Sequence, residues 1–268
     1  MKAECQRSRV RAPAVAGLFY PEDAVELRAC VDTLLAGKRT RDQRPKALIV
    51  PHAGYVYSGD IAASAYGSLG KIMTCVQRFV LLGPSHRHGF RGLAVPSTDA
   101  FSTPLGEMRV DTAAVRALLK LPMVVGSDVA HSDEHSLEVQ IPFLQRINPA
   151  ALLVPIVAGE ATAAEVETVI DAVWGGPETL VIVSSDLSHY HSYGTAREMD
   201  ALTARAILDC RDDLSGDQAC GCVGVNGLDR VARRRGMRTE LLDLRNSGDT
   251  AGDRRRVVGY AAFGFYDD

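Results

Sequence analysis

Apolar positions along the chain fall into two alternating patterns. Four short runs are continuously apolar: Ala47–Val50, stopped by Pro51; Phe79–Leu82, before Gly83-Pro84; Leu152–Val157, before Ala158-Gly159; and Leu180–Val183, before Ser184-Ser185-Asp186. Runs of this length between turn residues predict strands buried on both faces. Elsewhere the apolar positions recur at helical spacing, predicting helices over Pro21–Leu35, Asp60–Leu69, Thr112–Leu119, Ser136–Ile147, Ala163–Trp174 and Val225–Arg235, the last closed by Gly236. The final segment, Val257–Tyr266, alternates around Gly259 and Gly264 and is expected to add an antiparallel strand. Strands interleaved with helices predict an α/β fold, a central mainly parallel or mixed sheet flanked by helices.

No internal repeat, low-complexity tract or long Pro/Gly linker divides the 268 residues, so residues 1–268 are read as a single domain. A hydrophobic content of 46% with 24% charged residues is ordinary for a globular chain. The net charge of -3 supplies no broad field for phosphates, so no nucleic acid partner is expected. Arg233-Arg234-Arg235 and Arg254-Arg255-Arg256 read as a solvated helix end and a solvated loop. No apolar run approaches a membrane span, so no membrane association is expected. The stretch Ala12–Tyr20 is short, broken by Gly17 and followed by Pro21-Glu22-Asp23, unlike a secretory leader. Six cysteines (Cys5, Cys30, Cys75, Cys210, Cys220, Cys222) are too sparse for a disulfide framework, and a reduced, cytoplasmic location is expected.

Three of the four apolar runs end in a turn that presents a histidine or an acid. These are Val50-Pro51-His52, Leu82-Gly83-Pro84-Ser85-His86 and Val183-Ser184-Ser185-Asp186-Leu187-Ser188-His189. Ligands of open α/β sheets bind beyond the carboxyl ends of the strands, so these side chains converge if the strands are parallel neighbours. One histidine after a strand is an ordinary hydrogen-bonded residue; three together point to a divalent metal, which two imidazoles and at least one more donor would hold. All seven histidines lie between His52 and His191, so a ligand from the C-terminal third would be Cys, Asp or Glu. Cys220 is the candidate, placed just before a helix whose N-terminus would lower its pKa and favour the thiolate. Cys222 competes with it, and either cysteine can equally serve as a small buried hydrophobe.

Several motifs in one order resemble the Memo-like family, whose bacterial and archaeal members are often named the B component of an AmmeMemoRadiSam system. They are Val15-Ala-Gly-Leu-Phe-Tyr20-Pro, Pro51-His-Ala-Gly-Tyr-Val-Tyr-Ser-Gly59, Leu82-Gly-Pro-Ser-His86, Asp133-Glu-His-Ser-Leu-Glu138, Ser184-Ser-Asp-Leu-Ser-His189 and Cys220-Gly221, and they span nearly the whole chain. The resemblance implies a fold like that of class III extradiol dioxygenases, with His52, His86 and Cys220 as metal ligands and the cysteine in place of the carboxylate of a facial triad. It places His189 and Asp186 in the same site as catalytic candidates, His189 as base or hydrogen-bond donor and Asp186 orienting a ring. Tyr55 and His135 are expected to contact substrate. Family members commonly carry Pro shortly after the cysteine, whereas this chain reads Cys220-Gly221-Cys222-Val223-Gly224, which leaves the register between Cys220 and Cys222 open.

Other chemistries are weaker. His131-Ser132-Asp133-Glu134-His135 fits the H-x-x-E-H string of a zinc hydrolase group, but Ser132, Asp133 and Ser136 look like helix-start residues rather than a helix interior, and Glu134 is accounted for by that start. There is no G-x-S-x-G elbow, dinucleotide fingerprint or P-loop. Three functions are carried forward. The first is a non-haem oxidase or dioxygenase acting on a small chelating molecule, with iron as the expected metal and copper or zinc as alternatives. The second is a non-catalytic adaptor that binds a protein or peptide partner, using Tyr55, Tyr57 and exposed arginines. The third is metal-free chemistry at a cysteine nucleophile. The family resemblance also implies a functional link to a radical-SAM protein.

Overall fold

The structure is a computed structural model that describes residues 9–41, 43–70 and 75–267; Cys5 lies outside them. Its strands are β1 (Val10–Arg11), β2 (Ala47–Val50), β3 (Arg78–Pro84), β4 (Leu93–Val95), β5 (Ala100–Thr103), β6 (Gly106–Arg109), β7 (Val124–Gly126), β8 (Leu152–Ala158), β9 (Thr179–Ser184), β10 (His189–His191), β11 (Arg238–Asn246) and β12 (Val257–Tyr266). The helices are α1 (Ala24–Leu35), α2 (Asp60–Gly67), α3 (Thr112–Leu118), α4 (Val129–Ser132), α5 (His135–Glu138), α6 (Ile141–Ile147), α7 (Ala163–Val173), α8 (Tyr193–Leu208) and α9 (Cys222–Arg235).

The main sheet has nine strands, ordered β10-β12-β2-β9-β3-β8-β4-β7, with β11 paired to β12. Its centre is the four apolar runs: β2, β9, β3 and β8 are adjacent and mutually parallel. Val50, Val80, Leu82, Val154 and Val183 in these strands are fully buried, as continuous apolar runs require. The last strand, β12, runs antiparallel to β2, as its alternation predicts. Strands β1, β5 and β6 form a separate small sheet.

Helices cover both faces. Leu82 and Gly83 are consecutive in β3 and so point to opposite sides. The Leu82 side meets Gly224 of α9, and the Gly83 side meets Ser136 and Leu137 of α5. Helix α7 packs along α9 and opens with a capping box of Thr162 and Glu165. Arg230, Arg234 and Arg235 of α9 pair with Glu167 and Asp171 of α7, so this arginine run joins two helices rather than standing free in solvent. The helix predicted over Ser136–Ile147 is two short helices, α5 and α6, because the chain turns at Val139-Gln140 and restarts with Pro142 in the first turn of α6. No helix among the described residues is long and apolar enough to cross a membrane.

Candidate metal centre

Three neighbouring parallel strands deliver the histidine-bearing turns to one edge of the sheet. His52 follows β2, His86 follows β3, and Ser184-Ser185-Asp186 closes β9 between them. Cys220 comes from the loop before α9, and hydrogen bonds zip that loop onto the end of β9. The Cys220 amide donates to the Asp186 carbonyl at 3.2 Å, the Asp186 amide donates to Cys220 Sγ at 3.3 Å, and the Gly221 amide donates to Ser185 Oγ at 3.0 Å. Gly221 permits the approach: a Cβ there would stand 2.6 Å from Ser185 Cβ and 2.7 Å from the Ser184 carbonyl oxygen. The result is a cluster of His52, His86 and Cys220 whose candidate ligand atoms lie within 4.8 Å of one another, with Cys220 Sγ 3.2 Å from His52 Nε2. Cys222 is outside this cluster. It begins α9 and packs against the core instead.

The hydrogen bonds behind the rings decide which nitrogens are free. Ser184 Oγ donates to the Ser136 carbonyl at 2.7 Å and accepts from Gln140 Nε2 at 2.9 Å. Its hydrogen is therefore spent, and His52 Nδ1, 3.0 Å away, must be the donor to it. That tautomer leaves Nε2 with a bare lone pair aimed at the sulfur. His86 Nδ1 lies 2.9 Å from Glu134 Oε1, and its backbone amide donates to Oε2 at 2.6 Å. A carboxylate only accepts, so His86 Nδ1 is the donor to it, and a neutral ring in that tautomer has Nε2 free for a metal. A histidine ligand held from behind by a hydroxyl or carboxylate is the usual support of a metal site. Two such imidazoles and a thiolate suit iron, copper and zinc, whose ligand atoms stand roughly 3 to 4 Å apart, so the residues fit a divalent ion.

Burial shapes the charges. Burial opposes the ionised form of Glu134, yet the His86 ring and the His86 and Ser136 amides outweigh it and bring the pKa down to about 2. Burial pushes His52 well below the ordinary imidazole value and His135 down to about 4, so both are neutral. It raises Asp186 to about 7. The expectation of a lowered Cys220 pKa is corrected: burial first, and then the Asp186 carboxylate, push this thiol up. The physical reason is position, since α9 starts at Cys222 with Gly221 as its cap, and Cys220 precedes the helix amides that would stabilise a thiolate.

A cleft of about 600 Å³ opens in front of the imidazoles, and His52, His86, His135, Asp186 and His189 all line it. His135 stacks beside His86 with ring centroids 4.6 Å apart, its Nδ1 3.3 Å from Glu134 Oε1, forming a second possible donor group of His86, Glu134 and His135. Cys220 is reached from the other side, where it lines a separate cavity of about 240 Å³. Asp186 does not orient His189; its Oδ1 accepts from the His52 amide at 2.7 Å. Tyr55 does not line the histidine cleft. It is buried with its hydroxyl donating to the Val139 carbonyl at 2.7 Å, and Tyr57, two residues on, stands in the cleft wall. His131 of the H-x-x-E-H string is buried against the Ala94 carbonyl, and Glu134 caps α5, so that string forms no helix-borne metal site. Ser184 and Glu134, which fix the two tautomers, read in the sequence only as a turn residue and a helix start.

Fold and site together define a mixed α/β protein with a two-histidine, one-cysteine corner at the carboxyl edge of its sheet. The sequence model of one family, described as Memo-like protein, matches residues 11–264, and the chain belongs to that family. Relatives described as MEMO1 family proteins include one from Aquifex aeolicus, 37% identical with 94% of this chain and 97% of the relative covered. Another, from Archaeoglobus fulgidus, is 38% identical with 96% and 99% covered. A solved structure, an uncharacterized protein JW3007 from Escherichia coli K12, shares the fold at a TM-score of 0.53 and 12% identity, covering 81% of this chain and 98% of that one.

Proposed function

We propose that the protein is a metal-dependent oxidoreductase of the open-sided non-haem kind, acting on a small molecule that chelates its ion. Iron is the metal we assign, with copper and zinc as the other ions this donor set accepts. One observation carries the reading: two imidazoles that line a cleft, each with Nδ1 donating to a fixed partner, meet a cysteine sulfur that is reached from the other side. Three protein donors leave coordination positions open, and a bound ion would supply Lewis-acid and redox chemistry to a ligand in that cleft. The chain's own residues hold that ligand and move its protons. Ser184 and Glu134 keep the rings in place, and Asp186 pins the His52 backbone. His189, kept below the ordinary imidazole pKa by burial, is neutral and stands in the cleft wall, where it can take a proton from a substrate hydroxyl.

Metal-free nucleophilic chemistry at Cys220 is the poorer reading, because burial and Asp186 raise this thiol where an activated nucleophile needs a lowered one. The test is anaerobic loading with Fe(II), followed by oxygen uptake in the presence of catechol. The expected result is one tightly held ion per chain and turnover, both lost in His86→Ala. A chain with no affinity for Fe(II), or one whose affinity survives His86→Ala, sinks the proposal.

A further inference from the structure

We propose that Tyr190 and Arg256 form the part of the cleft that recognises an anionic group, a carboxylate or a phosphate, on a molecule whose other end would chelate an ion held by His52, His86 and Cys220. The inference rests on the reading of the cleft as a metal-centred substrate site, and it adds a substrate class to that reading.

Tyr190 is held in the left-handed region at φ +63, one of two non-glycine residues among those described to adopt it. It sits at an irregularity in the pairing of β10 with β12, where His189 faces Val258 and His191 faces Val257. A β-carbon in that conformation costs about 1 kcal/mol or more, and a 63% exposed side chain recovers little of it by packing. The bulge nevertheless turns the ring into the wall of the cleft.

Arg256 lies over that ring, with its guanidinium carbon 5.1 Å from the centroid, and it lines the same cleft. Its two neighbours in the arginine run are engaged: Arg255 holds Asp253, and Arg254 stacks on Tyr193 and donates to the Gly248 carbonyl. Among the described residues Arg256 has no acid or carbonyl partner. Asp253, the acid on this side of the cleft, already accepts from the amide and Nε of Arg255. What remains is an unneutralised planar fork, pre-oriented by an aromatic platform, in the cleft that the imidazole donors face. A guanidinium in that position matches the two oxygens of a carboxylate or phosphate.

The test uses the full chain loaded anaerobically with Co(II), whose visible spectrum reports ligand binding. Catechol and 3,4-dihydroxybenzoate, which share the chelating group and differ by one anion, are titrated against the parent protein, Arg256→Ala and Arg256→Lys. The expected result is at least tenfold tighter binding of 3,4-dihydroxybenzoate than of catechol, a preference lost in Arg256→Ala, partly kept in Arg256→Lys, and narrowed by raising the salt concentration. Competition of the bound 3,4-dihydroxybenzoate by benzoate and by phenyl phosphate then tells which oxyanion the fork prefers. Co(II) uptake with equal affinity for the two catechols, or a preference that survives Arg256→Ala, overturns this inference alone. A protein that takes up no Co(II) overturns it together with the functional reading on which it rests.

Discussion

His52 Nε2 and Cys220 Sγ lie 3.2 Å apart although 168 positions of sequence separate the two residues. If this pair anchors an ion, Co(II) should give a thiolate-to-metal charge-transfer band in the near ultraviolet. That band should vanish in Cys220→Ser and persist in Cys222→Ser, because Cys222 faces the core. A band that follows Cys222 instead would show that the loop before α9 binds in another register.

Glu134→Gln should weaken metal binding about 10- to 100-fold without removing any ligand, the usual cost of losing a carboxylate behind an imidazole. The amide can still accept from the His86 backbone, so the loss isolates the ring's partner rather than the loop. Competition against a chromophoric chelator measures it, and an affinity within twofold of the parent value would show that Glu134 has no part in orienting His86.

The centre of the sheet is legible in the sequence because β2, β3, β8 and β9 are buried on both faces and so read as continuous apolar runs. Their adjacency is what turns three separate histidine-bearing turns into one site. Strand β11 gives no such signal, since most of its residues are half-buried and its pattern neither alternates nor runs apolar. Helix α8 buries a stripe of Ala196, Thr203, Ala204 and Ala206 with only Ile207 as a large apolar anchor, too weak a periodicity to stand out. Around the metal corner, the ligand residue types show in the motifs but their supports do not. The contact of Glu134 with His86 joins loops 48 positions apart, and that of Ser184 with His52 spans 132. Local pattern carries no trace of either.

Gly221→Ala should lower stability by roughly 1 to 3 kcal/mol and weaken metal uptake together, since the added Cβ would collide with Ser185 and the Ser184 carbonyl and push the Cys220 loop off β9. Thermal unfolding and the Co(II) charge-transfer intensity report the two effects. Full retention of the band would mean that the loop moves without carrying the sulfur away.

Glu138 ties the N-terminal segment to α5: its carboxylate pairs with Arg11 and accepts from the Ala14 and Val15 amides and the Tyr20 hydroxyl at 2.7 to 2.9 Å. Both charges are almost completely buried. Glu138→Ala leaves the guanidinium uncompensated and should cost about 3 to 5 kcal/mol, measured by urea unfolding. A cost under 1 kcal/mol would mean that water reaches Arg11.

Asp186 sets stability against metal binding. Burial raises its pKa from the ordinary carboxylate range to about 7, so the folded metal-free chain keeps this proton over a range of pH in which the unfolded chain has lost it. Its contribution to stability is therefore fully present below about pH 4 and is lost as pH rises towards 7. Glu134, whose pKa is brought down to about 2, contributes in the opposite sense: its part is present above about pH 4.5 and is lost on acidification towards 2. Asp186→Asn keeps an acceptor for the His52 amide and removes the buried charge. The metal-free variant should be more stable than the parent at pH 8 by on the order of 2 to 4 kcal/mol, with little difference at pH 4. The same variant should bind a divalent cation more weakly, because a negative charge beside His52 and Cys220 favours the ion. Unfolding curves at the two pH values and a metal titration decide it; equal stability at pH 8 would show that the ionised Asp186 carboxylate is solvated in the folded chain and carries no burial cost.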